Sequence, residues 1–316
     1  MEINSNIDLR DAFFYGVKQI MQTDSNAVVL TADHGAFILG EIEKEFPDRY
    51  FNVGISEQNM INMASGMALK GKSVYTYSIN NFLILRALEQ ININICAMNL
   101  NVNLIGTGAG FTYSTDGFTH HGIQDLGIAM SLPNLSIYNV TDAMNSYYLA
   151  NTISAQSGPK YFRIEKGKVP QIYTNNSDFS KGFEIFNHHP ENDILLISTG
   201  FLSHSVKEIA LELSKDSKQI SYMDIFKVKP FDELTFLNSI DNINKIVMIE
   251  ENFYLSSFGK YLTSILKRHK KKADFLHIAI DEEVNFYYGS RDSVLTKHQL
   301  DNNSIMNRIK KYFNLT

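Results

Sequence analysis

The sequence predicts an α/β protein of two consecutive domains, each a mostly parallel sheet covered by helices. Three observations carry that expectation. Short apolar runs alternate with helical patterns from Asp8 to Ile164, and strands that take turns with helices imply a doubly covered parallel sheet. Periodicity then lapses in an Asn- and Lys-rich stretch between Lys166 and Pro190. It resumes at Asp193-Ile-Leu-Leu-Ile197, the pattern of a fully buried strand. We therefore expect domains at 1–166 and 191–316, joined over 167–190. A chain of 316 residues suits two domains of moderate size better than one.

Each element has its own reason. Asp8 to Met21 is amphipathic, with Asp8 placed as an N-cap. Val28–Leu30 is a short strand that ends in Thr31-Ala-Asp-His-Gly35. Open α/β sheets bind ligands just beyond strand carboxyl ends, which makes His34 a candidate substrate ligand. Tyr50–Val53 is a second strand, and Met60–Leu69 a small-residue helix. Ser73–Tyr77 is a strand; Phe82 opens a helix running to about Met98. Strands at Val102–Ile105, Leu135–Tyr138 and Lys160–Ile164 enclose helices near Ile123–Ser131 and Ala143–Gln156. The connection carries a short hairpin at Gly182–Phe186. The second half adds strands at Ile220–Asp224 and Lys245–Ile249, and helices at Ser203–Ser214, Leu255–Lys267 and Ser304–Phe313. Neither a fixed-period repeat nor a low-complexity tract interrupts this order.

Composition removes several function classes. With 44% hydrophobic and 20% charged residues the chain is globular in make-up. A net charge of −5 gives no basis for binding nucleic acid or an anionic membrane. The run Lys267–Lys272 reads as a solvated helix end. No apolar run is long enough to span a bilayer, and no secretory signal opens the chain. The one cysteine, Cys96, cannot form an internal disulfide and sits in an apolar pattern as an inert thiol, which fits the cytoplasm.

Chemistry concentrates in three stretches. In the first, Gly54-Ile-Ser-Glu-Gln-Asn-Met60, a carboxylate stands at a strand-to-helix turn. On pattern alone Glu57 is an ordinary helix N-terminal acid, complementing the dipole and unbonded N–H groups. The second stretch is Asp116-Gly-Phe-Thr-His-His-Gly122. Paired histidines in a glycine-containing loop suit proton transfer near neutral pH; a loop pair without duty, or half of a metal site, are the alternatives, and no further His or Cys stands at ligand spacing. The third is Phe82 with Arg86 in Phe-Leu-Ile-Leu-Arg-Ala-Leu-Glu-Gln90, where an aromatic at the start of an apolar helix is otherwise plain core.

Together these stretches resemble the transketolase family. Gly54–Met60 is similar to the Gly-Ile-x-Glu-x-x-Met signature of transketolase-like pyrimidine-binding domains in thiamine diphosphate enzymes, Asp116–His120 to the Asp-Gly-x-Thr-His element of transketolases and 1-deoxyxylulose-5-phosphate synthases, and Phe82–Gln90 to the family's helix start. Pro230-Phe-Asp232, Glu250-Glu-Asn252 and Tyr288 to Asp301 resemble the transketolase carboxyl-terminal domain. Phe118 replaces the family's usual proline, Ile79 a family aromatic, and Leu255–Gly259 a Gly-rich turn.

The resemblance implies thiamine diphosphate as cofactor. It implies that Glu57 shares a proton with the aminopyrimidine and that Ile55, Phe82 and Arg86 line its site. His120 and His121 would manage substrate protons, Asp116 a hydroxyl, and Arg163 the distal phosphate, with Arg10 a weaker second candidate for that anion. The family's diphosphate and Mg²⁺ ligands sit in a Gly-Asp-Gly motif on a separate domain, and this sequence contains no Gly-Asp-Gly. No metal ligands are therefore assigned here. The implied protein is the carboxyl-terminal subunit of a split transketolase, paired with an amino-terminal subunit in a two-plus-two heterotetramer. A 1-deoxyxylulose-5-phosphate synthase, a pyruvate-dehydrogenase-type beta subunit and a non-catalytic scaffold remain alternatives.

Overall fold

The protein is described from a computed structural model covering residues 3–216, 220–284 and 286–315. Packing divides the chain into two compact units, Met1–Ala109 with Ile128–Ser177, and Gly110–Gly127 with Asp178–Thr316. The loop Gly110–Gly127 thus packs with the second unit although it lies within the first half of the sequence.

In the first unit the strands are β1 (Ala27–Thr31), β2 (Tyr50–Asn52), β3 (Ser73–Ile79), β4 (Val102–Thr107), β5 (Ser136–Asn139) and β6 (Lys160–Ile164). They run in the order β5-β6-β4-β3-β1-β2, and every pair is parallel. β1, β4 and β6 are buried at every residue, as strands covered on both faces must be. The helix Leu9–Thr23 starts at Asp8, whose side chain accepts the Arg10 N–H. Its Phe13 ring packs 4.9 Å from Phe162 and its Phe14 ring 4.9 Å from Tyr77, which fastens it to the sheet. Gly16 lets this helix meet its neighbour, since a Cβ there would lie 2.8 Å from Ala150.

Strand order reverses between β1 and β3: β2 lies on one side of β1, and β3 followed by β4 on the other. Such a switch point, at the carboxyl ends of parallel strands, is where an open α/β sheet offers a crevice. Thr31–Gly35 and the residues after β3 converge there.

The second unit contains β7 (Phe183–Phe186), β8 (Ile194–Ser198), β9 (Ser221–Ile225), β10 (Lys227–Lys229), β11 (Lys245–Phe253) and β12 (Asp274–Ile280). One sheet has the order β12-β11-β8-β9-β7, parallel except at β7. Its switch point falls between β8 and β11. Leu196, Val247, Ile249 and Ile278 of the sheet pack with Leu202 and Val206 of the helix Leu202–Leu213, and with Ile305 and Ile309 of Asn302–Phe313.

Several expectations need correction. Gly182–Phe186 is not a hairpin: Phe183–Phe186 is an edge strand antiparallel to β9. The helix expected from Phe82 to Met98 is broken into wide turns, Asn81–Leu85 and Ile91–Ala97, around Leu88–Gln90. Ala143–Gln156 likewise widens after Tyr148. Elements not foreseen include the helices Leu39–Glu45, Glu233–Ser239 and Arg291–Lys297, and the strands β10 and β12. Cys96 is buried and lies outside any disulfide among the described residues. Among the described residues no helix is long and apolar enough to cross a membrane.

Candidate active site

Glu57 is placed by the turn that follows β2. Gly54 takes φ +74°, a conformation other residues avoid. The Val53 N–H bonds Thr31 O at 2.9 Å, and the helix Glu57–Leu69 begins at once. The result is a carboxylate only 2% exposed. Ser78 Oγ donates to its Oε1 at 3.3 Å, and Arg86 Nη1 donates to Oε2 at 2.7 Å. The Arg86 side chain is 45% exposed, and its guanidinium lies 4.4 Å from the centroid of the Phe82 ring. Glu57 is thus a buried acid whose cation partner reaches solvent and lies over an aromatic face. Ile55, next to this acid, is 75% exposed.

The crevice between β1 and β3 holds His34, whose ring is 5.1 Å from that of buried Tyr77. Burial, then the charges of Arg10 and Lys166, depress the His34 pKa to about 4, so the imidazole is neutral at physiological pH. Arg10 is bound twice to Asp8, at 2.9 and 2.7 Å, and donates to Gly35 O at 3.3 Å. The structure therefore gives Arg10 an ion-pair duty within the chain. Arg163, near the carboxyl end of β6, is buried and donates to Asn139 Oδ1 at 3.5 Å.

Two further polar side chains in this unit were not anticipated. Asn80 is fully buried, and among the described residues neither its Oδ1 nor its Nδ2 has a partner. It lies over Gly106, where a Cβ would come within 2.1 Å of its Oδ1. Thr107 Oγ1 is buried in the same state. Buried polar groups without partners cost stability; they are consistent with a site completed by a ligand.

Asp116, His120 and His121 lie together in one loop of the second unit. A bridge between Gly110 and Gly122, with bonds of 2.9 and 2.8 Å, closes that loop. Gly117 turns it at φ +78°. Asp116 is exposed and accepts from Thr115 Oγ1 at 3.4 Å. His120 is half-buried, with Nδ1 2.9 Å from Thr119 Oγ1. His121 is buried edge-on to Phe111 at 5.1 Å, and burial chiefly, with the neighbouring His120, lowers its pKa. Phe118, at the position of the family's proline, packs against the apolar core of this unit.

The loop's supports come from far along the sequence. Glu251 fills the space beside Gly110, which has no room for a Cβ. Arg291 Nη2 holds both Glu251 oxygens, at 2.9 and 2.8 Å, while its guanidinium lies 3.5 Å from the Phe201 centroid. Phe253 N–H bonds Ile123 O at 3.1 Å, and Gly289 N–H bonds Ser114 O at 3.2 Å. Sequence inspection gave no role to Ser78, Tyr77 or Asn80, and took in Glu251 and Arg291 only as part of the carboxyl-terminal-domain resemblance. The available signal was polar side chains at the carboxyl ends of otherwise apolar strands.

Arg86 thus contacts both Glu57 and Phe82, and the Asp116–His121 group shares one loop. Glu57, Ser78 and Phe82 fit the pyrimidine half of thiamine diphosphate: a buried acid to bond a ring nitrogen and an aromatic face to flank the ring. Among the described residues no group of three or more His, Cys, Asp or Glu is arranged to hold a metal ion.

The family profile of the transketolase pyrimidine-binding domain matches residues 5–171, and that of the transketolase C-terminal domain residues 186–305. An apulose-4-phosphate transketolase subunit of Actinobacillus succinogenes is 27% identical, over 83% of this chain and 84% of its own length. The 6-deoxy-6-sulfo-D-fructose transketolase subunit SqwH of Clostridium sp. is 27% identical, over 79% of this chain and 78% of its own. Among solved structures, one described as a split gene transketolase, inactive beta4 tetramer, superposes with a TM-score of 0.85 at 24% identity, covering 98% of this chain and 99% of that one. The chain belongs to the transketolase family and carries its pyrimidine-binding and C-terminal domains.

Proposed function

We propose that this chain is the carboxyl-terminal subunit of a split, thiamine-diphosphate-dependent transketolase of the cytoplasm, active in carbohydrate metabolism. It moves a two-carbon ketol unit from a ketose or its phosphate to an aldose, and only together with an amino-terminal subunit. The observation that carries this reading is Glu57: a carboxylate 2% exposed, beside Ser78 and Phe82, in a chain without Gly-Asp-Gly. These residues support half of a cofactor site, and the diphosphate half would come from the partner.

The bound cofactor supplies the nucleophilic carbon that takes up the ketol unit. Glu57 would hold or release a proton toward the aminopyrimidine, and Phe82, Ile55 and Arg86 would line the ring's site. Diphosphate and Mg²⁺ would be held by the partner. His120 exchanges protons with substrate hydroxyl and carbonyl oxygens, with neutral His121 beside it. Asp116 orients a hydroxyl, and neutral His34 offers a hydrogen bond that carries no charge. Arg163, with Arg10 as a lesser contributor, meets a distal anion. The names of the two transketolase relatives mention a phosphate and a sulfonate, a pair of anions that agrees with this role.

The test is reconstitution. Mixed with an amino-terminal transketolase subunit, the chain should form a two-plus-two complex by light scattering and transfer ketol units. Alone, it should do neither. His120→Ala should damage ketose cleavage, while Arg163→Ala should raise KM for phosphorylated sugars more than it lowers kcat. Efficient pyruvate decarboxylation, indifferent to both changes, would instead assign the chain to the decarboxylase beta-subunit class.

A further inference from the structure

At the carboxyl end of β12 the second unit contains a cavity of about 600 Å³. Its size is that of a small-molecule site. Asp281 and Glu283, from the segment after β12, line one part. Lys297 and His298, at the end of the helix Arg291–Lys297, and Arg308 of the helix Asn302–Phe313 line another. None of these residues is among those assigned to ketol transfer.

Charged side chains of both signs border this cavity. Lys297 and Arg308 form no ion pair among the described residues, nor do Asp281 and Glu283, although all four border one cavity. Cations and anions that face the same space without meeting can each bond to a different part of one ligand. Lys and Arg offer only donors, matched to phosphoryl oxygens; ionised Asp and Glu offer only acceptors, matched to hydroxyl groups.

A bare phosphate is too small for the volume and would be repelled by the two acids. A nucleotide would lack an aromatic plate, because among the described residues no Phe or Tyr lines the cavity. A phosphorylated polyol satisfies both halves. His298 extends the consequence, since its ring is stacked on Phe111 at 5.0 Å and 16°, and Phe111 supports His121. We infer that this cavity is a second small-molecule site, for a phosphorylated polyol, whose wall is shared with the support of the Asp116–His121 loop.

Calorimetric titration of the full chain with glycerol 3-phosphate tests this. The wild type should bind saturably. Replacing both cations, Lys297→Met with Arg308→Met, should weaken binding at least tenfold. Asp281→Asn should erase any preference for glycerol 3-phosphate over inorganic phosphate. Arg163→Ala, which alters the anion contact assigned to ketol transfer, should leave the titration unchanged. Lys297 and Asp281 are exposed and Arg308 half-buried, so circular dichroism should show native folds. No binding by the wild type would overturn the inference, as would binding weakened only by Arg163→Ala. Equal affinity for inorganic phosphate would overturn the polyol assignment. None of these readouts needs the partner subunit or transketolase activity, so their failure leaves the proposed reaction untouched.

Discussion

The two sheets reverse strand order in the same way and treat their switch points differently. At that of the first unit, between β1 and β3, polar groups are held in reserve. Glu57 is buried with an exposed cation as one partner, and Asn80 and Thr107 keep buried polar atoms without partners among the described residues. At that of the second unit, between β8 and β11, the chain occupies its own carboxylates. Glu250 accepts the N–H groups of Phe258 and Gly259 at 3.1 and 2.8 Å, and His277 Nε2 lies 2.8 Å from it. Glu251 is taken by Arg291. Ser198 Oγ, at the end of β8, and His277 Nδ1 are also buried without partners among the described residues, so the contrast concerns the carboxylates. Polar groups left wanting cost stability and await a ligand, whereas polar groups satisfied internally support a fold and, through it, a loop.

If that contrast is right, substitutions in the first unit should harm function and spare stability. Glu57→Gln retains the shape and removes the carboxylate. Turnover of the reconstituted enzyme should fall by on the order of 10²-fold or more at saturating cofactor, while the denaturant midpoint of the chain stays near wild type. Turnover near wild type would remove Glu57 from the chemistry.

Arg291→Met asks the opposite of the second unit. It leaves Glu251 buried and unpaired beside Gly110, and breaking one side of a buried pair costs about 3 kcal/mol. Urea denaturation should report that loss. Stability within about 0.5 kcal/mol of wild type, a change of the size surface substitutions give, would mean that the pair does not hold the loop. A milder version compares the same two regions at an orphaned hydroxyl. Thr107→Val keeps the side-chain shape and deletes the buried unpartnered oxygen, so the chain should gain about 1 kcal/mol. A loss of that size would show that the hydroxyl is satisfied in solution.

Much of this was legible in the sequence, for physical reasons that differ by element. β1 and β8 announce themselves because strands buried on both faces are continuous apolar runs, whereas β4 and β6 carry Asn103, Lys160 and Arg163 among their apolar residues. β12 did not: it is a sheet edge, half-buried over Phe275–His277 and flanked by lysines. The helix from Phe82 failed as a regular helix over Ile91-Asn-Ile-Asn-Ile95, where alternation of Ile and Asn has period two and conflicts with 3.6. β7 was misread because its partner β9 lies more than thirty residues away. In the site, Glu57 and the loop histidines could be found as local motifs. Ser78 and Asn80 could not, because their meaning lies in what they face. The Glu251–Arg291 pair spans 40 residues of sequence, and only the folded chain brings it to Gly110.

The smallest effect expected is a pH dependence at His34. Burial, and then Arg10 and Lys166, bring its folded pKa to about 4 from an ordinary value near 6.5. Tyr77 is the other titratable side chain against its ring. Between these two values the unfolded chain binds a proton that the folded chain refuses. Stability must therefore fall as pH drops from about 6.5 toward 4, and is unaffected by this group above that window. The ring is only partly shielded from solvent, so the loss should be modest, on the order of 1 kcal/mol after screening. His34→Gln cannot take up a proton, and carboxylates that titrate at low pH contribute equally to both chains. Urea midpoints at pH 7.5, 6 and 4.5 should accordingly show wild type losing ground to the variant as the pH falls. A difference that stays constant across the three values would mean that His34 is not held neutral in the folded crevice, and its assignment as an uncharged substrate contact would go with it.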